Sequence, residues 1–165
     1  MSDIAVVPYR PDLADAFARL NQEWIERLFR IEPSDLKVLE DPEGQVLAGG
    51  GQIFFALDNE LPVGTVAVIK VSDSTFELAK MAVSPAYQGR GLGERLGRAA
   101  INFARAAGGS LLFLETNSRL ENAIRLYRRL GFELAVPDHP SPYERSNVYM
   151  ELRVAGVAGG AAKST

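Results

Sequence analysis

Gln88-Gly89-Arg90-Gly91-Leu92-Gly93 decides the reading of this chain. It follows Ala79-Lys80-Met81-Ala82-Val83-Ser84-Pro85-Ala86-Tyr87 and opens a long amphipathic run. Three glycines in six positions let the backbone come close to a ligand. The run that follows, to about residue 107, puts Leu92, Leu96, Ala99, Ala100, Phe103, Ala104 and Ala107 on one face. Glu94, Arg95, Arg98 and Arg105 lie on the other face, which is helical periodicity, and Gly108-Gly109 stops it. A helix that starts in a glycine turn offers unpaired N–H groups and the positive end of its dipole, a site suited to a pyrophosphate. Arg90 would add a charge-assisted contact. The spacing rules out two common phosphate loops. In G-x-G-x-x-G the last place falls on Glu94 or Leu96, and the Lys-Ser/Thr pair of a P-loop is missing.

Upstream of this turn, residues 4–8 read as a strand. Leu13, Phe17, Leu20, Trp24 and Leu28 mark one face of a helix, with Pro11 in its first turn. A second short helix covers about residues 33–39, and Asp41-Pro42-Glu43-Gly44 ends it. After the turn-forming Ala48-Gly49-Gly50-Gly51, strands at 52–57, 63–71 and 76–83 follow with short links. That is an antiparallel meander, not the strand-helix alternation of a doubly wound fold. Downstream come a strand at 110–115, a helix at 120–130 closed by Gly131, and a final strand pair at 132–136 and 147–153. The expected fold class is α/β: a mixed, mainly antiparallel sheet of about six to seven strands flanked by helices. One domain spans residues 1–153, and the Ala- and Gly-rich residues 154–165 are expected to form a flexible tail.

The 165 residues suffice for one domain with a real core. A net charge of -3 argues against nucleic acid as a partner. No apolar run is long enough to span a membrane, and Met1-Ser2-Asp3-Ile4 does not open like a signal peptide. The absence of cysteine removes disulfides, thiolate metal sites and a cysteine nucleophile, and fits a cytoplasmic location. With His139 the sole histidine, no metal centre is expected.

The turn fits [Gln/Arg]-x-x-Gly-x-[Gly/Ala], and in this it resembles the coenzyme A loop of the GCN5-related N-acetyltransferase (GNAT) family. Residues 79–87 resemble that family's fourth strand and its exit. Asn122-Ala123-Ile124-Arg125-Leu126-Tyr127-Arg128-Arg129-Leu130-Gly131-Phe132 resembles its later helix. The resemblance is strong over residues 76–132 and weak before them. It implies the acyl-CoA N-acyltransferase fold, acetyl-CoA as acetyl donor, and a primary amine as acceptor attacking directly in a ternary complex. A small molecule or amino acid is the expected acceptor. A protein N-terminus, a lysine side chain, or a non-catalytic acyl-CoA sensor are the alternatives. A homodimer through the closing strands is also open.

The resemblance further implies site residues, each with a plainer structural alternative. Met81 and Val83 would pair through their backbones with the pantetheine arm, or simply pack in the core. The backbone of Gln88, Gly89, Arg90, Gly91, Leu92, Gly93 and Glu94 would surround the pyrophosphate, or merely cap a helix. Tyr127 would protonate the departing thiolate, or sit as a core aromatic. Glu77 would accept the proton of the incoming ammonium, with Glu115 as rival, or remain a solvated strand charge. Alternation puts Glu77, Ala79, Met81 and Val83 on one face. A backbone N–H near Met81 or Ala82 would stabilise the oxyanion. Asn117 and Asn122 are further cofactor candidates. Trp24, Phe29 and His139 are weaker candidates for the acceptor pocket, since a core or solvated role explains them as well.

Overall fold

The computed structural model describes residues 3–154. The order is β1 (Ile4–Pro8), α1 (Ala14–Leu28), α2 (Pro33–Glu40), β2 (Gln52–Asp58), β3 (Leu61–Lys70), β4 (Thr75–Val83), α3 (Leu92–Ala106), β5 (Leu111–Thr116), α4 (Glu121–Leu130), β6 (Glu133–Leu134) and β7 (Val148–Arg153). The seven strands form one sheet in the order β1-β2-β3-β4-β5-β7-β6. Every pairing is antiparallel except β4 with β5, which is parallel because α3 carries the chain across between them. The β2–β3 turn is tight, with Asn59 and Glu60 at φ 51 and 74, the left-handed pair that matches strand twist in a hairpin.

The sheet is covered on both faces. On one, α3 and α4 bury Leu92, Leu96, Ala100, Ile101, Leu126 and Leu130 against Val66, Val68, Leu78 and Leu114. On the other, Phe17, Leu39 and Val46 pack on Ile53, Phe55 and Ala67. Burying these apolar faces supplies the main driving force for the fold. The expected α1 stripe is rotated: Phe17 and Leu20 are buried as anticipated, but Asn21 and Ile25 continue the buried face. Leu28 stays 36% exposed. On α3 the buried face gains Gly97 and Ile101, while Ala107 lies beyond the helix and is exposed. A π-helical turn at Glu43–Leu47, invisible to periodicity, seats Val46 in the core. The first closing strand is shorter than expected, only Glu133–Leu134. Val154 belongs to the core rather than the tail: it is 1% exposed and its N–H donates to Ser110 O. The rest of the expected tail lies outside the described residues.

One irregularity organises the centre. Ala67 pairs with Ala79 but Thr65 with Ala82, so β4 holds one more residue than β3 across that stretch. The extra residue is a β-bulge at Lys80, whose φ is 56. The bulge reverses the faces that simple alternation gives. Ala79 shares a face with Ala67 on the α1–α2 side, whereas Met81 and Val83 pack into the α3–α4 core with Leu78. Glu77 and Ala79 therefore do not share a face with Met81 and Val83. β4 and β5 stay paired only at Thr75, Phe76 and Glu77, opposite Leu111, Leu112 and Phe113. Beyond that point they splay.

Gly51 ends the turn before β2, where an added Cβ would lie 2.2 Å from Val68 O and 2.9 Å from Val46 O. Backbone carbonyls cannot step aside as side chains do. Gly51→Ala is expected to destabilise the protein by about 2–3 kcal/mol in urea unfolding. Gly49→Ala, whose Cβ meets nothing within 4 Å, is expected to change stability by less than about 0.5 kcal/mol.

Candidate active site

The splay opens a cleft of about 720 Å³ lined by β4, the glycine turn, the end of β5, α4 and the 137–147 loop. At one end lies the turn. Gly89 and Gly91 have φ 81 and 79, and Gly91 is the N-cap of α3. An added Cβ at either would meet no protein atom within 4 Å, so glycine is needed there for backbone conformation, and the space beside it is left clear. The N–H groups of residues 89–94 have no acceptor among the described residues. With the start of a 15-residue helix behind them, they are suited to holding an anion. Gly93 and Gly97 serve packing instead. Cβ atoms there would come within 2.9 Å of Leu126 Cδ2 and 2.4 Å of Leu130 Cδ1, so both glycines let α4 lie close to α3.

Along the middle of the cleft, the edge of β4 facing β5 has no strand partner after Glu77. Met81, Ala82 and Val83 line this stretch, and Gln88 Nε2 ties the turn to Val83 O at 3.0 Å. Tyr127 reaches the cleft from α4. Its ring is buried against Phe132, its hydroxyl has no hydrogen-bond partner among the described residues, and burial pushes its pKa up to about 12. It is thus a neutral O–H aimed at the cleft.

Glu77 and Glu115 stand at the other end. Glu77 pairs with Phe113 on β5, and Glu115 follows two positions later on the same face. Burial pushes the Glu77 carboxyl up to about 7, Glu115 pushes in the same direction, and Lys80 opposes both. Among the described residues no group hydrogen-bonds Glu77, whereas Glu115 accepts from Ser141 Oγ at 2.7 Å. A carboxyl close to neutrality, free of partners and facing a cleft, is suited to proton acceptance.

The far wall is a charge cluster that the sequence did not announce. Asp35 of α2 is fully buried and accepts from Lys80 Nζ at 2.6 Å and from both Arg145 nitrogens at 2.8 and 2.5 Å. Burial alone would raise its pKa, but Arg145 and Lys80 hold it at about 2. Lys80 Nζ also donates to Tyr143 Oη at 3.1 Å. Glu32 accepts the N–H groups of Glu144 and Arg145 at 2.9 and 3.4 Å, fastening the 137–147 loop to α2. A lysine inside a strand is the one hint the sequence carried.

The other candidates divide. The Arg90 guanidinium lies over the Tyr87 ring at 4.7 Å and does not line the cleft. The Asn117 side chain is committed within the protein, donating to Arg145 O at 2.6 Å and accepting from Arg119 N at 2.8 Å. Asn122 lines the cleft and its oxygen accepts from Arg125. Trp24 lines the cleft. Phe29 stands behind it, edge-on at 6.4 Å and covered by Arg119. His139 is outside the cleft, against Phe113 at 6.3 Å and beside Asp138 at 3.2 Å. No described helix is long and apolar enough to cross a membrane.

A splayed parallel pair with a glycine turn and helix start at its mouth defines the class of protein: an acyl-CoA N-acyltransferase fold. Residues 13–132 match the model of the acetyltransferase (GNAT) family, and the chain belongs to that family. N-acetyltransferase YjgM of Escherichia coli is 33% identical over 112 residues, covering 66% of this chain and 59% of YjgM. The chain thus spans less than two thirds of that relative's length. A GNAT-family acetyltransferase from Staphylococcus aureus superposes with a TM-score of 0.84 at 21% identity, covering 92% of this chain and 99% of its own. YncA of Salmonella typhimurium, solved with its cofactor acetyl-CoA, superposes with a TM-score of 0.73 at 21% identity, covering 93% and 95%. At these identities the superpositions speak for the fold.

The raised pKa of Glu77 has a consequence for stability. A carboxyl whose folded pKa lies above its unfolded value favours folding below the unfolded value, and that contribution is lost as pH rises through about 7. Above pH 7 an ionised carboxylate is held where burial disfavours it. Glu77→Gln is therefore expected to be more stable than wild type at pH 8.5, by roughly 2–3 kcal/mol, with little difference at pH 4. Thermal melts at both pH values check this.

Proposed function

We propose that this protein is an acetyl-CoA-dependent N-acetyltransferase acting on a small primary amine that arrives as a cation. One observation carries the reading: a single cleft joins an anion site of unpartnered N–H groups to a near-neutral carboxyl, with a buried phenol between them. Bound acetyl-CoA would supply an activated thioester carbonyl. The residues fit it. The N–H groups of residues 89–94 suit a pyrophosphate, and the unpaired edge of β4 suits an amide-bearing arm. The pairing of Glu77 with Glu115 near Trp24 and Leu28 suits an ammonium with an apolar body.

The roles follow from protonation. Glu77 accepts the proton that the ammonium must lose before it can attack, and a pKa of about 7 leaves much of it ionised at neutral pH. The backbone N–H of Met81 or Ala82 is the donor at hand for charge developing on the acetyl oxygen. The Tyr127 hydroxyl, held neutral by burial, donates to the sulfur as the amide forms. The chain holds no cysteine, so a cysteinyl intermediate is excluded and attack is direct.

Calorimetric titration with acetyl-CoA comes first. Micromolar binding is expected for wild type, retained within about tenfold in Gly91→Ala and lost in Gly91→Glu, whose side chain enters the space beside the turn. Thiol release is then followed across a panel of small amines. Glu77→Gln is expected to lower kcat/KM by about 10²–10⁴-fold with acetyl-CoA affinity unchanged. Binding with no turnover on any amine, and no effect of Glu77→Gln or Tyr127→Phe, would show an acyl-CoA sensor instead. No binding by wild type would remove the reading.

A further inference from the structure

Lys80 has no role in the chemistry above, yet the fold makes an unusual effort to place it. It is the non-glycine residue at the β4 bulge and takes the left-handed conformation that side chains disfavour. In a regular strand residues 77 and 80 would lie on opposite faces. The bulge turns Lys80 to the side of Glu77, where its amine lines the cleft with only 8% of the residue exposed. Asp35 and Tyr143 then fix the ammonium at 2.6 and 3.1 Å, and it lies 4.5 Å from the Tyr143 ring centroid. Arg145 is clamped to Asp35 by two hydrogen bonds, and Arg27 of α1 pairs with Glu23. Glu115 faces Glu77 from β5 as a like charge, and Tyr143 presents a neutral ring and hydroxyl from the loop. Of the groups around Glu77, Lys80 supplies the attraction that opposes burial and Glu115.

We propose that Lys80 is a positioning residue for Glu77: its ammonium, fixed by the bulge, Asp35 and Tyr143, holds the Glu77 carboxylate ionised in the cleft. The inference rests on the reading of Glu77 as base, and it gives the strained backbone a purpose. A protonated carboxyl cannot accept a proton, and burial with Glu115 alone would leave Glu77 protonated over more of the neutral range.

The test reads ionisation without turnover. Protein labelled with ¹³C at the glutamate carboxyls is titrated by NMR, with Glu77 assigned by its loss in Glu77→Gln. Lys80→Met is expected to move the Glu77 midpoint up by about one pH unit. Lys80→Arg, which keeps the charge, is expected to hold it within about half a unit of wild type. A folded Lys80→Met with an unmoved midpoint overturns the proposal, as does Lys80→Arg shifting as far as Lys80→Met. Should Lys80→Met fail to fold, the same coupling is read from the other partner: the Lys80 ammonium, followed by NMR, is expected to lose its proton at lower pH in Glu77→Gln than in wild type, and an unmoved midpoint overturns the proposal. Where an acceptor is in hand, the acid limb of kcat/KM is expected to follow the NMR midpoint. A midpoint that moves while the limb does not would count against Glu77 as base and leave the electrostatic assignment standing.

Discussion

One extra residue in β4 sets the rest of the site. A regular β4 would keep its register with β3 and present alternate residues to each face. The bulge at Lys80 breaks that pattern, so the strand's first half presents Glu77 to the α1–α2 side and its second half packs Met81 and Val83 into the α3–α4 core. Bulges also increase local twist. Here β4 leaves β5 after three paired residues, and the backbone edge freed by the divergence becomes the wall of the cleft. Acid-base side chains, unpaired backbone and the entrance of α3 are thereby brought into one cavity.

A bulge with a left-handed lysine costs of order 1 kcal/mol or more, and a buried ion cluster has its own desolvation cost. The cluster offsets this through geometry rather than number. Asp35 accepts from Lys80, from both terminal nitrogens of Arg145, and from the Glu32 N–H at 2.8 Å, which leaves little of its acceptor capacity unused. Because Glu32 and Asp35 balance Lys80 and Arg145, the wall is close to neutral as a unit. Removing one member would strand a buried charge, so the cluster locks β4, α2 and the 137–147 loop into a single arrangement.

The two ends of the cleft differ in how far the sequence revealed them. The glycine turn was legible because its chemistry belongs to the backbone: glycines at short spacing before a helical period imply free N–H groups, and the structure supplies them. The antiparallel meander of β2, β3 and β4 was legible from turn residues and short links for the same local reason. The face assignment of Glu77, Met81 and Val83 was misread because a bulge adds a residue without changing the composition of the strand. Arg90 and Asn117 look free in the sequence, but a ring at position 87 and a carbonyl at position 145 take up their side chains. The charge cluster was not legible. Its contacts join positions 35, 80 and 145, and no local pattern reports a pairing across 45 or 110 residues.

That division has a physical consequence for specificity. The glycine-turn end presents main-chain groups, so side-chain replacement around it leaves its chemistry largely intact provided residues 89 and 91 can keep their left-handed backbone. The opposite end is lined by side chains on α1, β4, β5 and the 137–147 loop; Asp35 of α2 joins β4 to the loop behind it, and Glu115 joins β5 to the loop. A change in the loop that alters Ser141 reaches Glu115 through its hydrogen bond, and one that alters Tyr143 reaches Lys80. If Glu77 is the base, as proposed, acceptor preference and protonation of the base are not independent properties in this fold. An amine admitted by the loop would then have to be one whose charge Glu77 and Glu115 together can bear.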